Sequence, residues 1–404
     1  MLIQATCAGC ACLCDDIVVE KNGEFKVKNA CRRGAGIFLN YLEGRAKPSI
    51  NGETSSLEEA IERASEIIAD SKKLAVYGMD TITLEAQKLA IKIAEKTDAF
   101  IDDCSSFCLG NFVEACLRGE IPTTTLDYVR DNAYVIIYWG ANPVHSSPRH
   151  MSRYSYFPRG KNRQRGYEED RFLVVIDVRK DHTSKIVKKN EVFIEPESDA
   201  ELIDSFVKIM EGKAAKYSGE VAGILREIKK GDAVVFGGLG LRYGLEGDFK
   251  KFYNLLRKLN EFSKVYFIPA GFHSNMRGFN ESLFEKTGYV NRYSFGEQTS
   301  RKEFEFSKLL TSSIPDTTLI IGSDPVNSLP FDVSMHLSKI NTITIDPRRT
   351  FTTEISDVVI PSSISGVENG GTMVRSDGVK IKLNSVFENK FDDTYILERI
   401  LERI

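Results

Sequence analysis

The chain has 404 residues, enough for two or three domains each with its own core. Its 54 basic and 57 acidic side chains leave a formal net charge of -3, so no global nucleic-acid footprint is expected. No apolar run approaches ~20 residues, which argues against a membrane span, and the opening MLIQATCAGC, without a basic n-region and apolar h-region or twin arginines, gives no expectation of export.

In chain order, the first signal is CAGCACLCDD followed by CRRG. Cys7, Cys10 and Cys14 stand in a C-x2-C-x3-C run, and Cys31 returns alone. Four thiolates so arranged suit a [4Fe-4S] cluster, which passes single electrons. Zinc also takes four thiolates, but usually from two short pairs, and a structural zinc is the alternative reading. Cys12 lies inside the loop and reads as a bystander. Thiols and a cluster in a chain of this size fit a reducing cytoplasm better than a disulfide framework.

DDIVVEKNGEFKVKN predicts a hairpin turning at Asn22-Gly23. SLEEAIERASEIIADS predicts an amphipathic helix with Ser56 as N-cap and Glu59 three residues on. KLAVYG follows as a buried strand and TLEAQKLAIKIAEKT as a second helix. This alternation predicts α/β layers with parallel strands.

Further along, the chain repeats itself. AYVIIYWGANPVHS precedes FLVVIDVRKDHTSKI, and TTLIIGSDPVNSLP precedes TITIDPRRTFTTEI. Each copy has a buried strand ending in Gly-x-Asn/Asp-Pro, then a strand ending in Asp-x-Arg with a Thr close behind. Open α/β sheets bind nucleotides at such strand ends. The candidate residues are Gly140, Asn142, Pro143, Asp177, Arg179 and Thr183 in the first copy. In the second they are Gly322, Asp324, Pro325, Asp346, Arg348 and Thr352. The Asp can take ribose hydroxyls or a base edge, and the Arg and Thr can hold phosphate. Gly and Pro also punctuate ordinary loops, but two copies with matching tails make that the weaker reading. Two halves imply two nucleotide moieties. The Gly-rich stretch Gly237 to Gly244 either lines the same cleft or is a plain strand-to-helix turn. PRGKNRQRGYEEDR reads either as a solvated surface loop or, being long for a compact domain, as a functional one, from whose neighbourhood Arg149, Arg153 and Arg159 could reach phosphates or a partner protein.

Together these features resemble the molybdopterin-dependent oxidoreductases that carry a bis(pyranopterin guanine dinucleotide) on Mo or W. More narrowly, CAGCACLCDDI, HMSRYSYFPRG, GFNESLFEKTGY and IPSSISGVENGGTMVRSDGV resemble the B subunits of the formylmethanofuran dehydrogenase family across essentially the whole chain. The resemblance implies an α/β fold: a small iron–sulfur domain (1–49) and two Rossmann-like cofactor-binding domains (50–128 with 265–404, and an inserted 129–264). It also implies that the C-terminal β-barrel of larger relatives is absent here and supplied by a separate barrel-type subunit. Other implied partners are an amidohydrolase-like subunit and ferredoxin-like subunits. The implied reaction is reversible reduction of CO2 to formate, for formation of formylmethanofuran.

The resemblance further implies that Arg33 sits between cluster and pterin and that Cys108 ligates the metal. Cys108 precedes a helix, NFVEACLRG, and a thiolate at a helix N-terminus suits a soft metal. Formate-handling relatives follow this Cys with His, where this chain has Leu109. His273 matches a family His as a catalytic residue; the Arg that accompanies it there has no match in register, although Arg277 is close. Two alternatives stay open: a divergent oxidoreductase of another substrate, and an electron-relay subunit without catalysis. The remote fourth reading is a zinc-stabilised nucleotide-binding module.

Overall fold

The structure, a computed structural model, describes residues 2–22, 24–187 and 190–404. Local signals become local structure where the physics is local. Ser56 Oγ accepts from Glu59 N (3.2 Å) and the Glu59 carboxylate accepts from Ser56 N (2.8 Å), a reciprocal cap that opens the helix Leu57–Asp70. That helix buries Ala60, Ile61, Ala64, Ile67 and Ile68 along one face. The predicted hairpin forms from Ile17–Asn22 and Glu24–Lys28, with Leu2–Ala5 as a third antiparallel strand; its turn residue Gly23 lies outside the described residues.

Ten further strands build the parallel cores of two sheets. They are β1 (Leu74–Gly78), β2 (Phe100–Asp102), β3 (Val135–Trp139), β4 (Phe172–Asp177), β5 (Glu191–Phe193), β6 (Ala233–Gly237), β7 (Val265–Pro269), β8 (Thr317–Ile321), β9 (Asn341–Ile345) and β10 (Val358–Ile360). The chain divides into two compact units: 1–110 with 273–375 and 380–404, and 111–272 with 376–379. The cysteine-rich N-terminal segment belongs to the first unit.

In the second unit the sheet is wholly parallel, in the order β5-β4-β3-β6-β7. In the first, a parallel core β2-β1-β8-β9-β10 is extended at its edges by Tyr293–Ser294 and Thr299–Ser300 on one side and Ser49–Ile50 and Glu53–Thr54 on the other. These edge strands pair antiparallel, so this sheet is mixed rather than purely parallel.

The two cores share one spatial plan in a different chain order. Laid side by side, β3, β4 and β5 correspond to β8, β9 and β10, while β6 and β7 correspond to β1 and β2. Registers agree: Trp139 pairs with Gly237 and Ile176, as Ile321 pairs with Gly78 and Ile345. The first unit is thus a circular permutation of the second. Each unit has a switch point, β3/β6 and β8/β1, where successive connections leave on opposite sides and a crevice opens at the carboxyl ends.

Apolar burial holds the first unit together. Val76, Ile101, Leu319, Ile321 and Ile343 from the sheet pack against Ile61, Ile68, Ile91, Ile396 and Ile400 from flanking helices. Each such side chain contributes about 1.5–3 kcal/mol when fully buried. Among the described residues no helix is long and apolar enough to cross a membrane.

Candidate functional site

All eight cysteines stand outside disulfides, and Cys7, Cys10, Cys12 and Cys14 are buried. Cys31 caps the helix Arg32–Leu39, its Sγ accepting from Gly34 N (3.4 Å). A Cβ at Gly34 would lie 3.0 Å from Cys7 Sγ and 3.7 Å from Cys31 Sγ, so both sulfurs converge on a residue with no side chain. Burial pushes the Cys7 thiol up to about 12, opposed by the Gly9 N–H and reinforced by Cys10, Cys14 and Cys31. Four sulfurs that disfavour one another as bare thiolates are a fit donor set for a cationic iron cluster, which would supply the missing positive charge. The stem of Arg33 packs beside the cysteine loop, its Cδ 3.9 Å from where a Cβ on Gly9 would stand.

The repeated turns are alike at the level of atoms. Gly140 and Gly322 have φ of 57° and 58°, a left-handed geometry that suits glycine. Asn142 (φ -116°, ψ 79°) and Asp324 (φ -120°, ψ 74°) each start a one-turn helix, Pro143–Ser146 and Pro325–Ser328. Thr183 Oγ1 donates to Asn142 Oδ1 (2.7 Å), and Thr352 Oγ1 to Asp324 Oδ1 (2.6 Å). Both threonines are fully buried, so their hydroxyls serve the turn. At the next strand end, Asp177 Oδ1 accepts from Val178 N (2.8 Å), and Asp346 Oδ1 from Arg348 N (2.7 Å). Burial raises both carboxyls, Asp346 to about 7. Arg179 is exposed. Arg348 instead donates to Asn40 O (3.2 Å) and Glu43 O, closing the turn after the Cys31 helix.

The Gly-rich stretch lies on the Gly140 turn: Gly240 N donates to Gly140 O (3.0 Å), and a Cβ on Gly140 would sit 2.1 Å from Leu241 N. It therefore completes the second unit's switch point. The basic loop folds back on helix Leu126–Asn132. Arg171, buried, donates to the carbonyls of Val129, Ala133, Arg130 and Pro158. Arg149 is half-buried at the start of helix His150–Arg153, which ends on Arg153, and Arg159 is exposed.

Cys108 follows a one-turn helix, Cys104–Ser106, and precedes the helix Gly110–Leu117. It is half-buried, and its N–H donates to Ser105 O (3.2 Å). A buried polar network fixes this turn. Ser105 Oγ donates to Asp103 Oδ1 (2.5 Å) and accepts from Asn280 Nδ2 (2.9 Å) and Asn291 Nδ2 (2.7 Å). Burial, reinforced by Asp102, holds the Asp103 carboxyl well above its usual range. Leu109 is fully buried, so no polar group follows Cys108. Cys116 is buried in the helix beyond.

Asp80, Cys104 and His273 meet at the end of β1, their ligand atoms within 4.8 Å of one another. Cys104 Sγ donates to Asp80 Oδ2 (3.1 Å), and His273 Nδ1 lies 2.5 Å from the same oxygen. A tetrahedral zinc with bonds of ~2.1 Å would separate N and O ligands by about 3.4 Å. The contacts are therefore those of a hydrogen-bonded triad. Burial alone would raise Asp80, but His273 and Cys104 more than offset it and hold the carboxyl below its usual value. Asp80 raises His273 in return. Burial and the neighbouring Asp80 keep the Cys104 proton on sulfur, with Cys108 a further contributor. Arg277 is buried and paired to Glu281 (2.6 Å) within its own helix.

Asp80 escaped sequence analysis, as did Ser105, Asn280 and Asn291. The one available signal was position: Asp80 stands two residues beyond Gly78, at the carboxyl end of a buried strand.

No family model matches the chain. It is 32% identical over 434 residues to the B subunit of tungsten-containing formylmethanofuran dehydrogenase 2 from Methanocaldococcus jannaschii, covering 99% of this chain and 98% of that protein. The protein of the same name from Methanococcus maripaludis is 30% identical with the same coverage. Among solved structures, a chain of the formyltransferase/hydrolase complex from Methylorubrum extorquens, crystallised with methylofuran, aligns with a TM-score of 0.71 at 18% identity, over 88% of this chain and 98% of that one. Acetylene hydratase from Pelobacter acetylenicus aligns with a TM-score of 0.63 at 11% identity, over 99% and 68%. At these identities the structural likeness concerns the fold.

Proposed function

The chain belongs to the family of formylmethanofuran dehydrogenase B subunits, and on that premise we propose that it is the metal-bearing catalytic subunit of such an enzyme. It reduces CO2 reversibly to formate for formation of formylmethanofuran. Cys7, Cys10, Cys14 and Cys31 hold a [4Fe-4S] cluster, and Arg33 lies beside the cysteine loop. Cys108 ligates W or Mo in a bis(pyranopterin guanine dinucleotide). The metal centre supplies two-electron chemistry when bound, fed singly by the cluster.

The chain's own residues hold and shape. Gly140, Asn142 and Pro143, with Asp177, Arg179 and Thr183 at the next strand, present one nucleotide cradle. Gly322, Asp324 and Pro325, with Asp346, Arg348 and Thr352, present the other. In each, the Thr hydroxyl locks the turn and accepts the first N–H of the short helix, from Val144 (3.4 Å) or Val326 (3.1 Å), and the Asp offers a carboxyl to a base edge or ribose. His273 is the candidate proton carrier. Three further kinds of subunit, barrel-type, amidohydrolase-like and ferredoxin-like, complete the assembly in a cytoplasmic setting.

The observation that carries this reading is the paired turn, matched in φ, ψ and Thr–Asn/Asp hydrogen bond. One nucleotide would need it once; a cofactor with two nucleotide arms needs it twice. The fully buried Leu109 favours a second reading, the same metal chemistry on a substrate other than CO2 or formate.

Elemental analysis and cofactor extraction on the anaerobically purified native complex test both. About four Fe per chain, stoichiometric W or Mo and guanine nucleotide are expected. Iron without W, Mo or guanine nucleotide would reduce the chain to an electron relay. If the complex is loaded with metal but inert to formate and CO2, the second reading is selected.

A further inference from the structure

The Asp80 triad is built with more care than a chance contact requires. Asp80 is reached through Met79, which adopts a left-handed φ of 69°, a conformation that a side chain other than glycine holds only with support from its surroundings. Support comes from cross-links between 79–82 and 273–275. Asn275 N donates to Asp80 O (2.8 Å), and Asn275 Nδ2 to Ile82 O (2.7 Å). Gln87 Nε2 bridges Met79 O (2.8 Å) and Asn275 O (2.9 Å). All are buried. The segments bearing Asp80 and His273 are thus fixed to each other by backbone and side chain alike.

We propose that Asp80 is the positioning residue of a proton-transfer dyad whose working group is His273, with Cys104 as the second donor that keeps Asp80 an acceptor. This rests on the function proposed above. With Nδ1 committed to Asp80, proton exchange falls to Nε2. The His273 side chain is 36% exposed while Asp80 is only 3% exposed, so the imidazole joins a buried anchor to solvent. Leu109, next to Cys108, is apolar, and Arg277 Nε is committed to Glu281.

Reduction of CO2 to formate forms one C–H bond and takes up one proton and two electrons. The electrons come from a low-potential iron–sulfur donor. His273 Nε2 hands in the proton and regains one from solvent, Asp80 remains a carboxylate, and nothing in the dyad is oxidised. In the formate-oxidising direction the same atoms run in reverse.

The chain has five histidines, so His273 is assignable in the full chain carrying 15N-labelled imidazoles by comparison with His273→Gln. The wild type should show His273 protonated at Nδ1, and Asp80→Asn should return it to the mixture of tautomers found in solution. In the intact complex Asp80→Asn should lower kcat about 10²-fold, with KM for formate little changed and W, Mo and Fe contents unaltered. Asp80→Glu should restore part of the rate. An ordinary tautomer mixture in the wild type, or an unaltered kcat in metal-replete Asp80→Asn, overturns the proposal. If Asp80→Asn does not fold, His273→Gln decides, because the side chain it alters is partly at the surface: full kcat at full metal content overturns the dyad. A wild-type complex without W or Mo overturns the proposed function and the catalytic role with it, whereas the imidazole signature tests separately whether Asp80 holds His273.

Discussion

The two switch points start from the same turn and end in different chemistry. In the second unit, the neighbour of the Gly140 turn is the backbone of Gly238–Gly240, packed so closely that no side chain fits. In the first, the equivalent strand end carries Met79 and Asp80, and through Asp80 it gathers Cys104 and His273. The half-sites differ in charge as well. Thr183 is held by the neutral Asn142, whereas Thr352 gives both its hydroxyl and its N–H to the carboxylate of Asp324. Asp346 is buried and Asp177 only half so. The duplicated scaffold thus repeats one turn, while the first unit gathers a carboxylate, a thiol and an imidazole at its neighbouring strand end and the second packs backbone there. Its permuted chain order places the Cys108 turn directly after β2.

The largest effect should come from Cys108→Ala, which removes the sulfur proposed for the metal. Turnover of the complex should vanish while iron–sulfur absorption persists, and unchanged turnover would take Cys108 out of the site.

Next are the paired glycines. A Cβ at Gly140 meets backbone at 2.1 Å, while one at Gly322 meets first the Thr81 hydroxyl at 2.5 Å, a side-chain atom that can move. Gly140→Ala should cost about 2–5 kcal/mol, combining left-handed strain with overpacking. Gly322→Ala should cost about 1–2 kcal/mol. Equal urea midpoints would break the comparison.

Asp346 offers a pH test. Burial raises it to about 7, while an unfolded Asp titrates near ~3.9. Between these values the unfolded chain releases a proton that the folded one keeps, so stability falls as pH rises and the loss is complete above about 7. Asp346→Asn should flatten that slope and stabilise at pH 8 by on the order of 2–4 kcal/mol, with no gain at pH 3. Asp177→Asn, at a less buried site, should do so more weakly. Thermal unfolding against pH reads both.

The smallest effect sharpens the charge difference. Thr352→Val leaves the half-buried Asp324 carboxylate short of a donor and should cost about 1.5–3 kcal/mol; Thr183→Val loses a neutral hydrogen bond worth about 1 kcal/mol. Indistinguishable losses would mean that Asp324 draws its stabilisation elsewhere.

Much of the scaffold is legible residue by residue. Ser56 and Glu59 announce a capped helix because both partners lie within one turn. AVYG and VIIYW read as buried strands because their apolar runs are short and closed by glycine. The Gly-x-Asn/Asp-Pro repeat is legible because it is a local backbone shape that few residues satisfy. The roles of Thr183 and Thr352 were not legible: both follow the strand ends as expected of phosphate ligands, yet their hydroxyls face the preceding turn. Arg348 likewise looks like its counterpart Arg179, and only the nearby Asn40–Glu43 turn sets it apart. The antiparallel edge strands also escaped, since two-residue pairings such as Tyr293–Ser294 carry no periodicity of their own.

The sequence by itself determined the cysteine pattern, the paired turns and the α/β alternation, because these depend on residues within one turn, one strand or one loop of each other. Tertiary structure alone decided that Asp80, Cys104 and His273 share one oxygen, and that two differently ordered stretches build the same sheet. Those contacts depend on which strand lies beside which. Sheet order is set by the summed burial of faces across the whole unit, and no short stretch of sequence carries that sum.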